Sequence, residues 1–163
     1  MYKRLSILLG IMLYAMSFQI PTYADVINLT EDTSLTKTLE EFIGTNNGIE
    51  GNSFTLDGNG YAGTTVADGQ SLDFNNITLK NFTNSNLVEN AGTTNITSAI
   101  LDNVSIVNNK FLSLNSVILN NTNITNNAIN KNFPNKDGGI ILTGENTFKS
   151  GSINTSGSNE GEI

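Results

Sequence analysis

Apolar and polar residues alternate in a short motif that recurs five times along the chain. Each copy has two apolar residues separated by one position, then a polar residue, then Gly or Asn. The copies are 18, 27, 18 and 23 residues apart and end at Gly58, Asn76, Asn103, Asn121 and Gly144. A short strand followed by a turn, repeated about every 20 residues, is typical of a solenoid. The pattern therefore predicts a stack of similar rungs.

The alternation assigns the side chains of each copy to two faces. Because period two places the apolar pair on one face of a strand, the second residue of each pair is predicted to lie in the core: Leu56, Phe74, Leu101, Leu119 and Leu142. The polar residue that follows is predicted to face solvent. Gly and Asn tolerate the left-handed backbone of a tight corner, so the last residues of the five copies are predicted to form one column of corners.

Asparagine recurs at fixed positions in this pattern, and the chain contains 27 Asn residues. Five positions beyond the corner, the central copies repeat one: Asn81, Asn108 and Asn126. Amide side chains stacked in successive rungs form hydrogen-bonded ladders, which is the structure we expect at both Asn columns. The loops that absorb the longer spacings are predicted around residues 89–92 and 132–139. The alternative is the bias of an AT-rich genome, which would also enrich Lys, and Lys is scarce here.

A different periodicity precedes the rungs. Val26–Leu29 alternates like a short strand, and apolar residues then recur at Leu35, Leu39, Phe42 and Ile43, which is one face of a helix. Ser34 is the expected N-cap and Gly44 the expected stop. This helix is predicted to cover the open end of the first rung; the alternative is a loosely packed surface helix.

The two ends of the chain differ in composition from the repeats between them. Lys3 and Arg4 precede an apolar run of about 16 residues, and small residues follow, so we expect a signal peptide over residues 1–24 that is cleaved after Ala24. A membrane anchor is the alternative, but a spanning helix needs about 20 residues. Residues 25–50 then form a cap and 51–150 the rungs. The small polar tail, 151–163, predicts either a disordered end or, our preference, a fragment of a longer protein.

Composition excludes several kinds of chemistry. The net charge is −7 and becomes −9 once Lys3 and Arg4 are removed, so nucleic acid is not an expected partner. There is no His and no Cys, hence no imidazole base, thiol nucleophile or ordinary zinc site. Asp57 and Asp102 fall in the same outward position about 10 Å apart, but solvated positions are the preferred interpretation. The segment 57–60 is interpreted as a tight corner rather than a calcium loop. We predict no catalytic residue, metal or cofactor.

Two segments, 53–60 and 69–82, resemble the first rungs of pectin-lyase-like right-handed parallel β-helices. The signal, cap helix and Asn-rich rungs together resemble bacterial autotransporter passengers and polymorphic outer-membrane-protein relatives. Gly138-Gly139-Ile140-Ile141 is similar to a tetrapeptide that recurs in that group, whereas the sequence after Phe82 departs from its second tetrapeptide. The resemblance covers residues 26–150. It implies an all-β, right-handed parallel β-helix of about five to six rungs with a short N-terminal capping helix.

The same resemblance implies a secreted or cell-surface protein, exported to the bacterial surface or outer membrane, with a structural or adhesive role. Its partner would be a host-surface or cell-surface glycan or protein, it would not insert into the membrane after cleavage, and a C-terminal translocator domain would lie outside this chain. The alternatives are a carbohydrate-active β-helix, lyase or hydrolase, and a bare stalk. Four aromatic residues are candidates for stacking on sugars, although Phe in a solenoid is more often internal: Tyr61, Phe82, Phe111 and Phe133.

Overall fold

The computed structural model describes residues 25–128 and 138–155. Within these ranges the chain winds in turns, and each complete turn contributes one strand to each of three sheets. The predicted signal peptide, and the tail beyond Thr155, lie outside the described residues. Among the described residues, no helix is long and apolar enough to cross a membrane.

The elements follow one another turn by turn. The first turn consists of β1 (Val26–Asn28), β2 (Thr33–Ser34) and helix α1 (Leu39–Ile43). The next turns consist of β3 (Gly48–Glu50), β4 (Thr55–Asp57) and β5 (Thr64–Val66), then β6 (Ser71–Asn75), β7 (Thr78–Lys80) and β8 (Val88–Asn90). They continue with β9 (Thr93–Thr97), β10 (Ile100–Asp102) and β11 (Ser105–Asn108), then β12 (Phe111–Asn115), β13 (Ile118–Asn120) and β14 (Thr122–Asn126). The last turn described consists of β15 (Gly139–Thr143), β16 (Thr147–Phe148) and β17 (Gly151–Thr155).

Each strand pairs with the equivalent strand of a neighbouring turn, the inner strands do so on both sides, and every pairing among the described residues is parallel. The first sheet has the order β1-β3-β6-β9-β12-β15, the second β2-β4-β7-β10-β13-β16, and the third β5-β8-β11-β14-β17. The predicted all-β solenoid of about five to six parallel rungs is thereby confirmed.

The core is a set of straight columns, because equivalent residues of successive turns lie in register. Leu56, Leu79, Leu101 and Leu119 stack in the second sheet, each no more than 2 % exposed. Ile49, Phe74, Ile96 and Leu114 form the matching column of the first sheet. Burial of each such side chain is worth about 1.5–3 kcal/mol. The columns therefore supply the main stabilisation of a chain that has no disulfide.

Leu142 differs from its predicted place in the core, since 39 % of it is exposed. It does continue the column of Leu114, with which it pairs. However, β15 is the outermost strand of the first sheet, so no described residue covers Leu142 from the far side.

The five sequence copies do not form one structural column, which corrects the predicted alignment. Three copies end the second-sheet strands β4, β10 and β13, whereas those ending at Asn76 and Gly144 follow the first-sheet strands β6 and β15. The register gives two corner columns instead. The residues after the first-sheet strands are Gly51, Asn76, Ser98, Ser116 and Gly144; those after the second-sheet strands are Gly58, Asn81, Asn103 and Asn121.

Most corner residues have the expected left-handed backbone. The values of φ are 48° at Asn76, 56° at Asn103, 46° at Asn121 and 67° at Gly144. Gly58 is a glycine for a different reason: a Cβ there would lie 2.7 Å from the ring of Phe82, which is 1 % exposed. Gly58 therefore makes room for an aromatic ring that is buried rather than available to a sugar.

The N-terminal helix is shorter than predicted. It begins at Leu39 with Thr38 as its N-cap, and Glu41 completes a capping box. The predicted N-cap, Ser34, instead ends β2. Gly44 ends the helix with φ of 60°.

The helix occupies the place of a strand. Leu39 is fully buried, and its N–H donates to Ala62 O at 2.9 Å. The third sheet begins only at β5, and α1 packs against that strand. The helix therefore covers the first edge of the third sheet.

Two segments predicted as loop or tail are strands. Glu89 and Asn90 belong to β8, and residues 151–155 form β17, so the last turn extends beyond the predicted limit at residue 150. Most of the loop predicted around residues 132–139 lies outside the described residues.

Candidate functional site

A ladder of buried amides runs along the inside of the third sheet. Asn90 Nδ2 donates to Asn108 Oδ1 at 2.7 Å, and Asn108 Nδ2 donates to Asn126 Oδ1 at 2.8 Å. All three residues are at most 1 % exposed. The amides also bond to backbone groups at the bends: Gly92 N–H donates to Asn90 Oδ1 just after β8, and Asn108 Nδ2 donates at 3.1 Å to Gly139 O, which lies one turn further along.

The membership of this ladder corrects the sequence alignment. The sequence pattern groups Asn81 with Asn108 and Asn126, but the register aligns Asn81 with Asn103, and Asn90 is the true member. The pattern does not predict Asn90 because it lies in a segment predicted as loop. The available signal is the spacing, since Asn90 precedes Asn108 by 18 residues, the interval that also separates Asn108 from Asn126.

A second amide ladder follows the corner between the second and third sheets. Asn121 Nδ2 donates to Asn103 Oδ1 at 3.0 Å, and Asn103 Nδ2 donates to Asn81 Oδ1 at 3.4 Å. Asn81 Nδ2 in turn donates to both carboxylate oxygens of Asp57. This ladder is partly exposed, so the corner presents amides in a fixed row.

The outward column beside this corner carries alternating charge. The order across the second sheet is Asp57, Lys80, Asp102 and Asn120. Lys80 lies between the two carboxylates in this column, whereas Asn75 belongs to the first sheet. Lys80 Nζ is 3.3 Å from Asp57 Oδ2, and Asn120 Nδ2 donates to Asp102 at 2.7 Å.

The carboxylate of Asp57 is fully engaged. Partial burial raises its pKa, but hydrogen bonds from the Asn59 N–H, from Asn81 and from Lys80 together outweigh burial and hold the pKa below the ordinary value of an Asp. General acid catalysis needs a carboxyl group whose pKa is raised, so this position does not suit an acid. Among the described residues no group of three acidic side chains is placed to hold a metal ion.

A groove of about 570 Å³ lies where α1 interrupts the regular stack. Its floor includes Ile43, Val66 and Leu72, and its rim includes Glu40 and Gln70. The groove is open, and its rim carries hydroxyls, amides and a single carboxylate, which suits weak contact with a polar ligand more than catalysis.

The outer face of the first sheet is an ordered and mostly polar surface. Its central column is Asp73, Asn95 and Ser113, in which Asn95 Nδ2 donates to Asp73 at 2.7 Å. Parallel columns flank it on either side: Ser71, Thr93 and Phe111, and Asn75, Thr97 and Asn115. We call these nine residues the first-sheet outer face. Of the predicted aromatic candidates, Phe111 lies here, Tyr61 is 39 % exposed elsewhere, and Phe133 lies outside the described residues.

No family model, curated protein or solved structure matches this chain.

Proposed function

We propose that the chain is a secreted or cell-surface structural protein of adhesive type, a β-solenoid rod that presents rigid polar faces to a cell-surface glycan or protein. The observation that carries this proposal is the first-sheet outer face, where hydroxyl and amide groups stand in register across three strands. Such groups are complementary to sugar hydroxyls and to peptide backbone. The apolar run before Ala24 supports export.

The carbohydrate-active alternative has less support. The two carboxylates that it would use are separated by Lys80, and Asp57 is engaged by three donors. A pair of carboxyl groups in glycoside hydrolysis needs one member free to donate a proton.

Export is tested with the full chain carrying a C-terminal epitope tag in a bacterial host. We expect a mature N-terminus at Asp25 and loss of the tag signal when intact cells are treated with protease. The matched control is Leu9→Arg, which interrupts the apolar run and should retain the uncleaved chain in the cytoplasm. Cytoplasmic retention of the unaltered chain would overturn the proposal.

Adhesion is tested with the purified protein on a glycan array and on host-cell monolayers. The triple variant Asp73→Ala, Asn95→Ala and Ser113→Ala should lower binding at least about tenfold while the circular dichroism spectrum is unchanged. The control is Lys37→Ala, an exposed change at the N-terminal end. Equal binding by the triple variant and the unaltered protein would exclude the first-sheet outer face as the contact surface.

A further inference from the structure

The groove beside α1 is formed by two departures from the regular turn. α1 stands in the first turn where the later turns have a third-sheet strand. In the second turn, the bend between the third and first sheets is residues 67–70, whereas the equivalent bend of the next turn is only Ala91 and Gly92. Together these departures open a cavity of about 570 Å³, a size that is usual for a small-molecule site.

The floor of the groove is aliphatic. Ile43, Val66 and Leu72 line it, and each is no more than 5 % exposed. Val66 pairs with Asn90, so it takes the position that the ladder of buried amides occupies in the later turns. No aromatic ring is among the described residues that line the groove. Such a floor suits a small apolar substituent, such as a methyl or acetyl group, more than a stacked sugar ring.

The polar groups above this floor are available to a ligand. The side chains of Thr45, Asn47 and Thr65 line the groove and make no hydrogen bond to another described residue. On the first-sheet outer face, by contrast, Asn95 already donates to Asp73. Hydroxyl and amide groups both donate and accept hydrogen bonds. The rim of the groove therefore matches the hydroxyl groups of a sugar.

Both walls of the groove are held by local hydrogen bonds. On the α1 side, Asn46 Nδ2 donates to Ile43 O at 2.7 Å. On the other side, Gln70 N–H donates to Ala67 O at 3.0 Å, and Ala67 N–H donates to Gln70 Oε1 at 3.2 Å. A groove that is formed before the ligand arrives loses less conformational freedom on binding.

We propose that this groove binds one neutral saccharide unit that carries an acetyl or methyl group. The substituent lies on the aliphatic floor, and the hydroxyl groups of the sugar bond to the rim. Glu40 is the one charged residue among the described residues that line the groove, and the chain has a net charge of −7, so an anionic sugar is disfavoured. The site is separate from the central column of the first-sheet outer face and does not depend on adhesion through that face.

The ligand class is tested by ligand-observed NMR titration of the purified full chain. N-acetylglucosamine should bind with a dissociation constant of about 1 mM. Glucose, which lacks the acetyl group, should bind at least about threefold more weakly, and glucuronate should not bind detectably. Tighter binding of glucosamine than of N-acetylglucosamine would overturn the proposal, because the charge of Glu40 and not the aliphatic floor would then govern binding.

The place of binding is tested by matched variants. Thr65→Tyr should fill the groove and abolish binding of N-acetylglucosamine, whereas Thr125→Tyr should not, because Thr125 lies in the same outward column three turns further along. Asn47→Ala removes one rim amide without adding bulk and should weaken binding about threefold to tenfold. Circular dichroism checks that each variant remains folded.

The triple variant of the first-sheet outer face separates this site from the surface proposed for adhesion. It should bind N-acetylglucosamine as the unaltered chain does, whether or not adhesion is lost. The groove proposal would be overturned by loss of N-acetylglucosamine binding in the triple variant, by unchanged affinity in Thr65→Tyr and Asn47→Ala, or by an unaltered chain that binds none of the sugars.

Discussion

Asparagine residues serve two different purposes in this chain, depending on where they lie in the turn. At the corners, Asn76 or Asn121 is chosen for its backbone, since φ is positive there. In the third sheet, Asn108 is chosen for its side chain, which is fully buried and bonded above and below. The periodicity of Asn was visible in the sequence. The sequence does not distinguish the two purposes, because Asn recurs at fixed positions both at the corners and at the end of the third-sheet strands.

The ladder of buried amides should be most sensitive to substitution at Asn108, its central member. Asn108→Ala leaves the donor of Asn90 and the acceptor of Asn126 buried without their partner, so we expect a loss of about 2–4 kcal/mol in the free energy of unfolding. Urea denaturation measures it. Asn109→Ala, one position along and exposed, should change the free energy by less than about 0.5 kcal/mol. Equal losses would show that the buried ladder contributes no more than a surface amide.

Asp57 gives stability a dependence on pH. Its pKa in the folded chain lies below 3.8, so its contribution is present above about pH 4, the pKa range of an unfolded Asp. The contribution is lost as pH falls further through the folded pKa. The melting temperature should therefore drop below about pH 4, and Asp57→Asn should reduce this drop. An unchanged pH profile in the Asp57→Asn variant would refute the role of Asp57.

Asp102→Asn should hardly change the free energy of unfolding at pH 7, because its Oδ1 can still accept the hydrogen bond from Asn120.

At the scale of the element, α1 shows what local pattern can and cannot decide. The apolar face of Leu39 and Ile43 and the stop at Gly44 were visible in the sequence, but the start was not. Ser34 and Thr38 are both good N-caps. Thr38 prevails because Glu41 lies three residues later and closes a capping box, while Ser34 pairs with Asp57 in the second sheet.

The capping box can be tested by one substitution. Thr38→Ala removes the acceptor for the Glu41 N–H and should lower the free energy of unfolding by about 1 kcal/mol. Thermal melting monitors it. Thr45→Ala, an exposed threonine just beyond the helix, should be within about 0.5 kcal/mol of the unaltered protein. If both variants melt alike, α1 is held by packing alone.

For the whole molecule, the repeat alone predicts the solenoid, but it does not predict which sheet each strand joins. A strand in the first sheet and a strand in the second obey the same alternation, so Phe74 and Leu101 look equivalent in sequence although they belong to different columns. The order of charges on the outer surface depends on that assignment, so the sequence alone does not predict the ion pair between Lys80 and Asp57. The exposure of Leu142 among the described residues is equally hidden, because Leu142 has the same local sequence as its buried counterparts.

Because the core columns run through successive turns, one buried charge should destabilise the entire rod. Leu101→Asp places a carboxylate between Leu79 and Leu119 in the centre of the stack. An unpaired buried charge costs several kcal/mol against a total stability of about 5–15 kcal/mol, so we expect loss of the cooperative thermal transition. Ile100→Asp, the neighbouring residue of the same strand but 39 % exposed, should retain it. A cooperative melt in Leu101→Asp would contradict the packed column.

The purely parallel pairing also governs how fast the chain reaches its native state. Among the strands of residues 25–128 and 138–155, the shortest separation between paired residues is 18, as between Ile106 and Ile124, so these strands form no hairpin and each of their sheet bonds closes a long loop. Folding rates fall as the average separation of contacting residues grows. Newly synthesised chains should therefore remain unfolded for milliseconds to seconds, an interval in which the polypeptide is still thin enough to be threaded through a narrow channel.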